Sequence, residues 1–219
     1  MNLTLPGIAD ERVDEDRSTW FTPLPIARRM VAWAGAVQPR SILEPSCGSG
    51  NLIAACRERW THATIEAVEF DPFYVEKARD RFAHDVRVNV FGGSFLDVQP
   101  IGDGHDLCVM NPPYEDGLDG KFLTKAMNES QRVIALVRLA ALVGQARTEA
   151  VWSRCRPDGD FVLRGLALFS GRPRFEAGRS IGDREDGGSA KADFCVGKLS
   201  RRTAYERGLD VPTHIEWWS

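Results

Sequence analysis

The segment Asn111-Pro112-Pro113-Tyr114 combines residues that together could position one amino group for reaction. The side-chain oxygen of Asn111 and the backbone carbonyl of Pro112 are two acceptors, and an aromatic amine has two N–H bonds to offer them. Such an amine is a poor nucleophile because its lone pair is delocalised into the ring, and paired acceptors can turn that lone pair toward an electrophile. The prolines stiffen the loop, and Tyr114 offers a flat face on which a base could stack.

A glycine-rich turn and an acidic residue point to a second part of the same site. The sequence Glu-Pro-Ser-Cys-Gly-Ser-Gly occupies residues 44–50, and its glycines Gly48 and Gly50 allow backbone to approach a ligand without interference from Cβ atoms. No Lys-Ser or Lys-Thr pair follows, so the turn is not a P-loop. Glu69 lies 19 residues beyond Gly50, where a carboxylate can accept hydrogen bonds from both hydroxyls of a ribose. These residues predict a ligand that contains a nucleoside.

Short apolar runs alternate with helical patterns of about ten residues through most of the chain. The alternation predicts a doubly wound, Rossmann-like α/β fold, with a mostly parallel sheet and helices on both faces. Ligands bind such sheets beyond the carboxyl ends of the strands, where the three groups above fall. The predicted strands cover 41–44, 65–70, 86–91, 106–110, 132–137, 161–169 and, as the last strand, 193–199. The predicted helices cover 26–37, 51–60, 72–82, 121–129 and 139–155.

The length and composition predict one domain at residues 18–219, preceded by a polar arm at 1–17 and interrupted by an exposed loop at 171–192. Five cysteines without a C-x-x-C pair indicate reduced thiols, and neither they nor the four scattered histidines suggest a metal site. No apolar run is long enough for a membrane span, and the acidic N-terminus lacks a signal-peptide core. A cytoplasmic location is therefore expected.

The charge distribution differs between the two halves of the sequence. Residues 1–120 carry 11 basic and 19 acidic side chains, a net charge of −8, whereas residues 121–219 carry 17 and 12, a net charge of +5. A basic second half favours a polyanionic partner such as a nucleic acid, although a solvated surface explains the same imbalance equally well.

The three motifs, in this order and at these strand ends, resemble those of the class I S-adenosylmethionine-dependent methyltransferases. The likeness is to the amino-methylating branch that includes the N6-adenine DNA methyltransferases. Trp20-Phe21-Thr22-Pro23 resembles the aromatic-Thr-Pro segment of those DNA enzymes. The resemblance covers residues 18–140, while GRPRF at 171–175 and DFCVGKL at 193–199 resemble the last motifs of the family more loosely.

The resemblance implies S-adenosyl-L-methionine as the cofactor and assigns roles along the chain. Glu69 would hold the ribose, and Phe70, followed by Asp71, would lie against the cofactor adenine. Asn111 to Tyr114 would hold the target amino group, and Phe175 would be a second stacking partner. The residues expected to line the methionine part are Phe21, Thr22, Pro23, Glu44, Pro45, Ser46, Cys47, Gly48 and Gly50.

One position departs from the family pattern. The family often has Asp-Phe after the third strand, with the acid bonding the adenine amino group of the cofactor, whereas this chain has Ser94-Phe95. The resemblance still implies that Ser94 and Phe95 line the cofactor pocket. Either Ser94 takes that role more weakly, or Asp97 reaches the adenine instead. The departure concerns this single contact and leaves the expectation of cofactor binding in place.

By the same resemblance the reaction is a direct in-line displacement at the sulfonium methyl, with adenine in DNA as the favoured substrate. No covalent nucleophile is required, and Cys47 is expected to be a small buried residue. The base would leave the duplex stack. Specificity would come from the loop 115–120 or the arginine-rich stretch 154–184, or from an accessory partner or homodimer. The arginines expected to contact phosphates are Arg172, Arg174, Arg179, Arg201 and Arg202.

Three alternatives remain open at the level of the sequence. Ribosomal and transfer RNA amino methyltransferases use a similar Asn-Pro-Pro-Tyr loop. Glutamine methyltransferases of release factors share it as well, because a carboxamide is also a weak nitrogen nucleophile, but they usually carry an N-terminal helical domain for which there is no room before Thr22. In the third, the chain is a methyltransferase-like subunit that only binds a partner.

Overall fold

The computed structural model describes residues 20–99, 104–142, 149–171, 176–177 and 193–219. Several of the sequence predictions concern residues outside these ranges. They are the arm at 1–17, most of the loop at 171–192, and the side chains of Arg172, Arg174, Phe175 and Arg179.

Ten strands and four α-helices form the described part of the chain. The strands are β1 (Trp20–Phe21), β2 (Ser41–Glu44), β3 (Thr64–Glu69), β4 (Val88–Gly92), β5 (Leu107–Met110), β6 (Arg132–Arg138), β7 (Phe161–Phe169), β8 (Glu176–Ala177), β9 (Phe194–Arg201) and β10 (His214–Trp218). The α-helices are α1 (Leu24–Trp33), α2 (Asn51–Arg59), α3 (Pro72–Arg81) and α4 (Leu118–Glu129). Four 3-10 helices lie at Glu115–Gly117, Leu139–Leu142, Trp152–Cys155 and Ala204–Glu206.

Eight of the strands form one sheet in the order β10-β7-β9-β6-β5-β2-β3-β4. All neighbours are parallel except that β9 runs antiparallel to both β6 and β7. The chain winds outward in one direction from β2 and in the other from β5. The topological switch point, where ligands bind in such folds, therefore lies between the carboxyl ends of β2 and β5. The predicted doubly wound fold is confirmed.

Helices cover both faces of the sheet, and each face has its own apolar core. Apolar side chains of α1, α2 and α3, with Trp60 after α2, pack on one face around Ile42, Ile65 and Val109. On the other face α4 packs on Cys108 and its strand neighbours. Buried strands with apolar residues on both faces explain why β2, β5 and β6 read as continuous hydrophobic runs in the sequence.

The structure differs from the sequence predictions in three places. Residues 193–199 are not the last strand, because β10 follows at the sheet edge with side chains that are mostly exposed. The ends of the predicted helix at 139–155 are two 3-10 helices, Leu139–Leu142 and Trp152–Cys155, while residues 149–150 within it are α-helical. Within the predicted loop 171–192, residues 176–177 form β8, which pairs antiparallel with β1.

Arg201 and Arg202 bind the protein itself, which contradicts the expectation that they contact phosphates. Arg201 donates to the carbonyl oxygens of Met127 and Asn128 at 3.3 and 3.2 Å. The guanidinium of Arg202 bonds the carbonyl oxygens of Cys155, Arg156, Gly159, Phe161, Glu206 and Leu209. Arg201 ends antiparallel β9 and Arg202 follows it, so both lie at the sheet edge opposite the switch point.

Because Arg202 binds so many carbonyl groups, we expect Arg202→Ala to lower the free energy of unfolding by roughly 3 kcal/mol. Urea denaturation followed by circular dichroism would measure the loss. The matched control is Arg207→Ala at an exposed arginine nearby, which should change stability by less than about 0.5 kcal/mol. Equal effects of the two substitutions would contradict a structural role for Arg202.

Candidate active site

The turn after β2 brings backbone amides to the switch point. The amide of Cys47 donates to the carbonyl of Val68 on β3 (2.9 Å), and the amide of Gly50 donates back to the carbonyl of Cys47 (2.8 Å). Gly48 and Gly50 have φ angles of +50° and +87°, which side-chain-bearing residues rarely adopt. The glycines predicted from the sequence are therefore required by the conformation of the turn.

The aromatic ring of Phe21 lies directly over this turn. A Cβ atom added at Gly48 would be 2.3 Å from Cε1 of that ring. The ring also meets Tyr74 of α3 edge-on, with 4.8 Å between the ring centroids. The missing side chain at Gly48 thus makes room for Phe21, and the segment that precedes α1 packs on the turn.

Asn51, at the first position of α2, holds the segment before α1 by a hydrogen bond. It was not among the residues predicted from the sequence. Its Nδ2 donates to the carbonyl of Thr22 at 3.0 Å. Arg81 of α3 donates to Asn51 Oδ1 at 2.9 Å and to the carbonyl of Ser49 at 2.8 Å. A polar residue directly after the glycine turn was the only sequence signal for this bridge.

A pocket forms where these segments meet the loop after β5. Residues from all three lie in its wall, namely Phe21, Thr22, Ser46, Cys47, Ser49, Asn51, Leu52 and Asn111. Ser46 Oγ donates to the backbone carbonyl of Asn111 at 3.0 Å, which joins the glycine turn to the Asn-Pro-Pro-Tyr loop. The structure therefore brings together the motifs that were up to 90 residues apart in the sequence.

Glu44 is a buried carboxyl group beside this pocket, with 1% of its surface exposed. Its Oε1 accepts from the amide of Ser46 at 3.2 Å, whereas Oε2 is buried and has no hydrogen-bond partner among the described residues. Burial raises the pKa of Glu44 well above its usual value, and the charge of Glu69 adds to that rise. An unpartnered buried carboxylate oxygen is suited to a cationic ligand group.

Glu69 accepts one backbone amide on each carboxylate oxygen. Gly48 donates to Oε2 at 2.7 Å and Asp71 donates to Oε1 at 2.8 Å. Burial raises its pKa, and these amide bonds oppose the rise. Each oxygen retains a second lone pair, so ribose hydroxyls can still bind. Asp71 itself caps α3 by accepting from the amide of Phe73.

Aromatic residues beyond β3 and β4 lie in contrasting environments. Phe70, the expected partner of the cofactor adenine, is 63% exposed. Phe95 is 2% exposed and packs on Phe122 in the core on the α4 side of the sheet, so it does not face the pocket as expected. Ser94 is half-buried, and its carbonyl accepts from the amide of the exposed Asp97 at 3.0 Å.

Tyr114 is turned toward the protein and not toward an open stacking site. Its hydroxyl donates to Asn111 Oδ1 and lies 3.3 Å from the carbonyl oxygen of Leu136. Its ring meets Phe194 edge-on, with the centroids 5.1 Å apart. The surrounding burial raises the pKa of the phenol well above its usual value.

Arg138, at the carboxyl end of β6, contacts the Asn-Pro-Pro-Tyr loop through Tyr114. It donates to the backbone carbonyl of Tyr114 and lies over the tyrosine ring, 5.5 Å from its centroid. The guanidinium is also 3.4 Å from the buried carboxylate of Asp119 on α4. Neither residue was identified from the sequence, because nothing in their local patterns connects them with Tyr114.

Cys47 is buried in the turn, and burial raises the pKa of its thiol well above the usual value, with the charges of Glu44 and Glu69 adding to the shift. It is the small buried residue that was expected.

Among the described residues, no three His, Cys, Asp or Glu side chains are grouped as metal ligands would be. In the same part of the chain, no helix has the length and apolar character to cross a membrane.

Solved structures share this architecture. The modification subunit assigned to a type I restriction enzyme of Vibrio vulnificus matches 92% of this chain and 47% of its own, with a TM-score of 0.68 and 14% identity. A Listeria monocytogenes protein assigned to the class I S-adenosylmethionine-dependent methyltransferases matches 91% of this chain and 66% of its own, with the same TM-score and 13% identity.

The chain has the class I methyltransferase fold. No protein-family model matches the sequence. Among curated relatives, type II methyltransferase M.CvrRI of Paramecium bursaria Chlorella virus XZ-6E is 35% identical over 99 residues, covering 45% of this chain and 25% of that protein. The tRNA1(Val) (adenine(37)-N6)-methyltransferase of Vibrio vulnificus is 32% identical over 85 residues, which cover 38% of this chain and 36% of that protein. The matches thus span about a quarter to a third of these relatives.

Within this methyltransferase fold, the contact between Phe21 and Gly48 can be tested with a matched pair of glycines. Gly35 also has a positive φ, of +77°, but an added Cβ there meets nothing within 4 Å. We expect both Gly→Ala changes to cost about 1 kcal/mol of backbone strain. Gly48→Ala should cost about 1–3 kcal/mol more, because it overpacks the ring. Urea unfolding would measure both, and equal losses would contradict the contact.

Proposed function

We propose that the chain is a methyltransferase that transfers the methyl group of S-adenosyl-L-methionine to the exocyclic N6 amino group of adenine in DNA. The observation that carries the proposal is the position of Asn111. It lies at the carboxyl end of β5 in the wall of the pocket, and Ser46 of the glycine turn bonds its backbone carbonyl. An amine acceptor and a turn suited to a nucleoside ligand therefore share one cavity.

The residues around the pocket fit S-adenosyl-L-methionine. The unpartnered Oε2 of Glu44 suits the ammonium group of the methionine part. The remaining lone pairs of Glu69 suit the ribose hydroxyls, and the exposed ring of Phe70 suits the adenine. When bound, the cofactor supplies an electrophilic methyl group on a sulfonium.

The residues of the chain itself would act by positioning the amine. Asn111 Oδ1 and the carbonyl of Pro112 would accept its two N–H bonds, which directs the nitrogen lone pair toward the methyl group. The Tyr114 hydroxyl bonds the same Oδ1 atom. Because a carboxamide oxygen has two lone pairs, it can keep that bond while it accepts one N–H of the substrate.

Adenine in DNA is supported by the Asn-Pro-Pro-Tyr motif and by several relatives named as type II methyltransferases. The second candidate substrate is adenine in RNA. It is favoured by the similarity to the tRNA1(Val) (adenine(37)-N6)-methyltransferase. The similarity to a ribosomal RNA small subunit methyltransferase C of Hahella chejuensis supports RNA, and the name of that protein specifies no base. On either substrate Asn111 would have the same task.

The substrate can be determined by offering several acceptors in parallel. Purified protein with methyl-labelled S-adenosyl-L-methionine is incubated with DNA that lacks adenine methylation, with total RNA and with a release factor. We expect N6-methyladenine in the DNA digest by mass spectrometry. Asn111→Ala should lower the rate at least about 100-fold, because the amine loses an oriented acceptor, while calorimetry shows cofactor binding retained.

The matched control is Asn89→Ala, the same substitution at an exposed position of β4, which should leave the rate unchanged. Label in RNA or in the release factor would retain the role of Asn111 but overturn DNA as the substrate. Transfer to none of the three, together with no calorimetric binding of the cofactor, would favour a non-enzymatic binding subunit.

The raised pKa of Glu44 predicts a proton linkage for cofactor binding. Without ligand, burial favours the protonated carboxyl, and the stability that this form contributes is lost as the pH rises through the raised pKa. A bound ammonium instead requires the carboxylate. Below about pH 7, where the amine of the ligand is charged, binding should therefore release a proton from Glu44.

Calorimetry in two buffers of different ionisation enthalpy would measure this release. We expect Glu44→Gln to abolish it, to weaken binding at least tenfold, and to remove the loss of stability at higher pH. Glu58→Gln, at an exposed glutamate on α2, is the control and should change none of the three. Proton release that persists in Glu44→Gln would contradict the assignment.

A further inference from the structure

Exposed apolar side chains are concentrated at one end of the described chain. Eight large hydrophobic residues are exposed, and four of them, Tyr205, Leu209, Ile215 and Trp217, lie within residues 205–217. Ile215 and Trp217 of β10 are 57% and 69% exposed. Contiguous exposed apolar patches on a folded surface commonly mark an interaction site, whereas isolated exposed residues do not.

β10 places two of these side chains on a continuous apolar surface. It is the edge strand of the sheet and pairs with β7, so that Ile215 lies beside Leu166 and Trp217 beside Leu168. Leu166 and Leu168 are only partly buried and pack against the core on the α4 side. These four residues, the β10 patch, form an apolar stripe along the sheet edge.

The backbone of β10 also has free hydrogen-bonding capacity on its outer side. The carbonyl of Trp218 accepts from the amide of Ser170 at 2.7 Å, so it points toward β7. The backbone N–H and C=O groups of successive residues in a strand point alternately to its two sides. Those of Ile215 and Trp217 therefore point away from β7. Within the described ranges no other strand pairs with that side. The two residues with exposed side chains thus also carry the outward backbone groups.

We propose that β10 pairs antiparallel with β10 of a second copy of this chain, which joins two eight-stranded sheets into one. A two-fold axis perpendicular to the sheet relates the copies, so each residue contributes to the interface twice. The axis keeps the same face of both sheets on the same side. The two β10 patches therefore merge into one apolar surface across the new strand pair.

Charge selects the register of this pairing. With Ile215 opposite Ile215 of the second copy, His214 of each chain faces Glu216 of the other, which places opposite or neutral partners together. With Glu216 opposite Glu216, two carboxylates would be adjacent, and like charges directly opposite are destabilising. The first register also places Trp217 opposite Thr213, beside the central apolar pair.

The oligomeric state of the full chain tests the proposal. Sedimentation velocity over a range of concentrations should show a reversible monomer–dimer equilibrium. Ile215→Pro removes an outward amide that the β7 pairing does not use, and we expect it to raise the dimer dissociation constant at least tenfold. Trp217→Lys should do the same, whereas Val86→Lys, at an exposed position before β4, should not. A chain that is monomeric at all concentrations would overturn the proposal, and so would a dimer that is unaffected by both β10 substitutions.

The register is tested with single introduced cysteines, because four of the five native cysteines are buried and Cys155 is partly buried. Under mild oxidation Ile215→Cys should form a disulfide-linked dimer, since the two copies of residue 215 face each other. Glu216→Cys should not cross-link. The reverse result would overturn the proposed register. Circular dichroism of each variant would establish that it remains folded.

Discussion

The carboxylate of Glu69 accepts hydrogen bonds from the amides of Gly48 and Asp71, and these two bonds connect the turn after β2 with the start of α3. The site depends on this connection. It holds the left-handed conformation at Gly48 that residues with side chains rarely adopt, and the missing side chain leaves the space that the ring of Phe21 occupies. A single acidic side chain at the end of β3 thereby sets the shape of the turn while it keeps lone pairs for a ligand.

The loop after β5 is held by contacts of a different kind. Its backbone is bonded by Ser46 from one side and by Arg138 from the other, and the Asn111 carboxamide is bonded by Tyr114. Such a loop is arranged before any substrate arrives, which lowers the reorganisation needed at the moment of reaction. The same contacts fix the orientation of the Tyr114 ring, which is only partly buried.

Local patterns predicted the fold and much of the site. β2, β5 and β6 are continuous apolar runs. A glycine turn and a proline pair restrict the backbone in the same way in any sequence. The bridge from Arg81 through Asn51 to Thr22, the placement of Arg138 and the orientation of Tyr114 all join residues distant in sequence, so no local pattern reports them. β10 was missed because an edge strand lacks the buried side chains that mark the interior strands. Phe95 was assigned to the pocket by its position in a motif, but its burial places it in the core.

The antiparallel strand β9 lies between β6 and β7, although it follows both in the chain. The first half of the sheet, from β2 to β6, is built from consecutive crossovers, although later residues, such as Phe194 against the Tyr114 ring, complete its packing. During synthesis on the ribosome, strands β2 to β6 therefore emerge while the free edges of β6 and β7 still await residues 194–201. Pairing of those edges closes the sheet late and through distant contacts, which is the slow kind of step in folding. A nascent chain halted before that point would lack the contact of Phe194 with Tyr114 and would expose an unpaired strand edge to other chains.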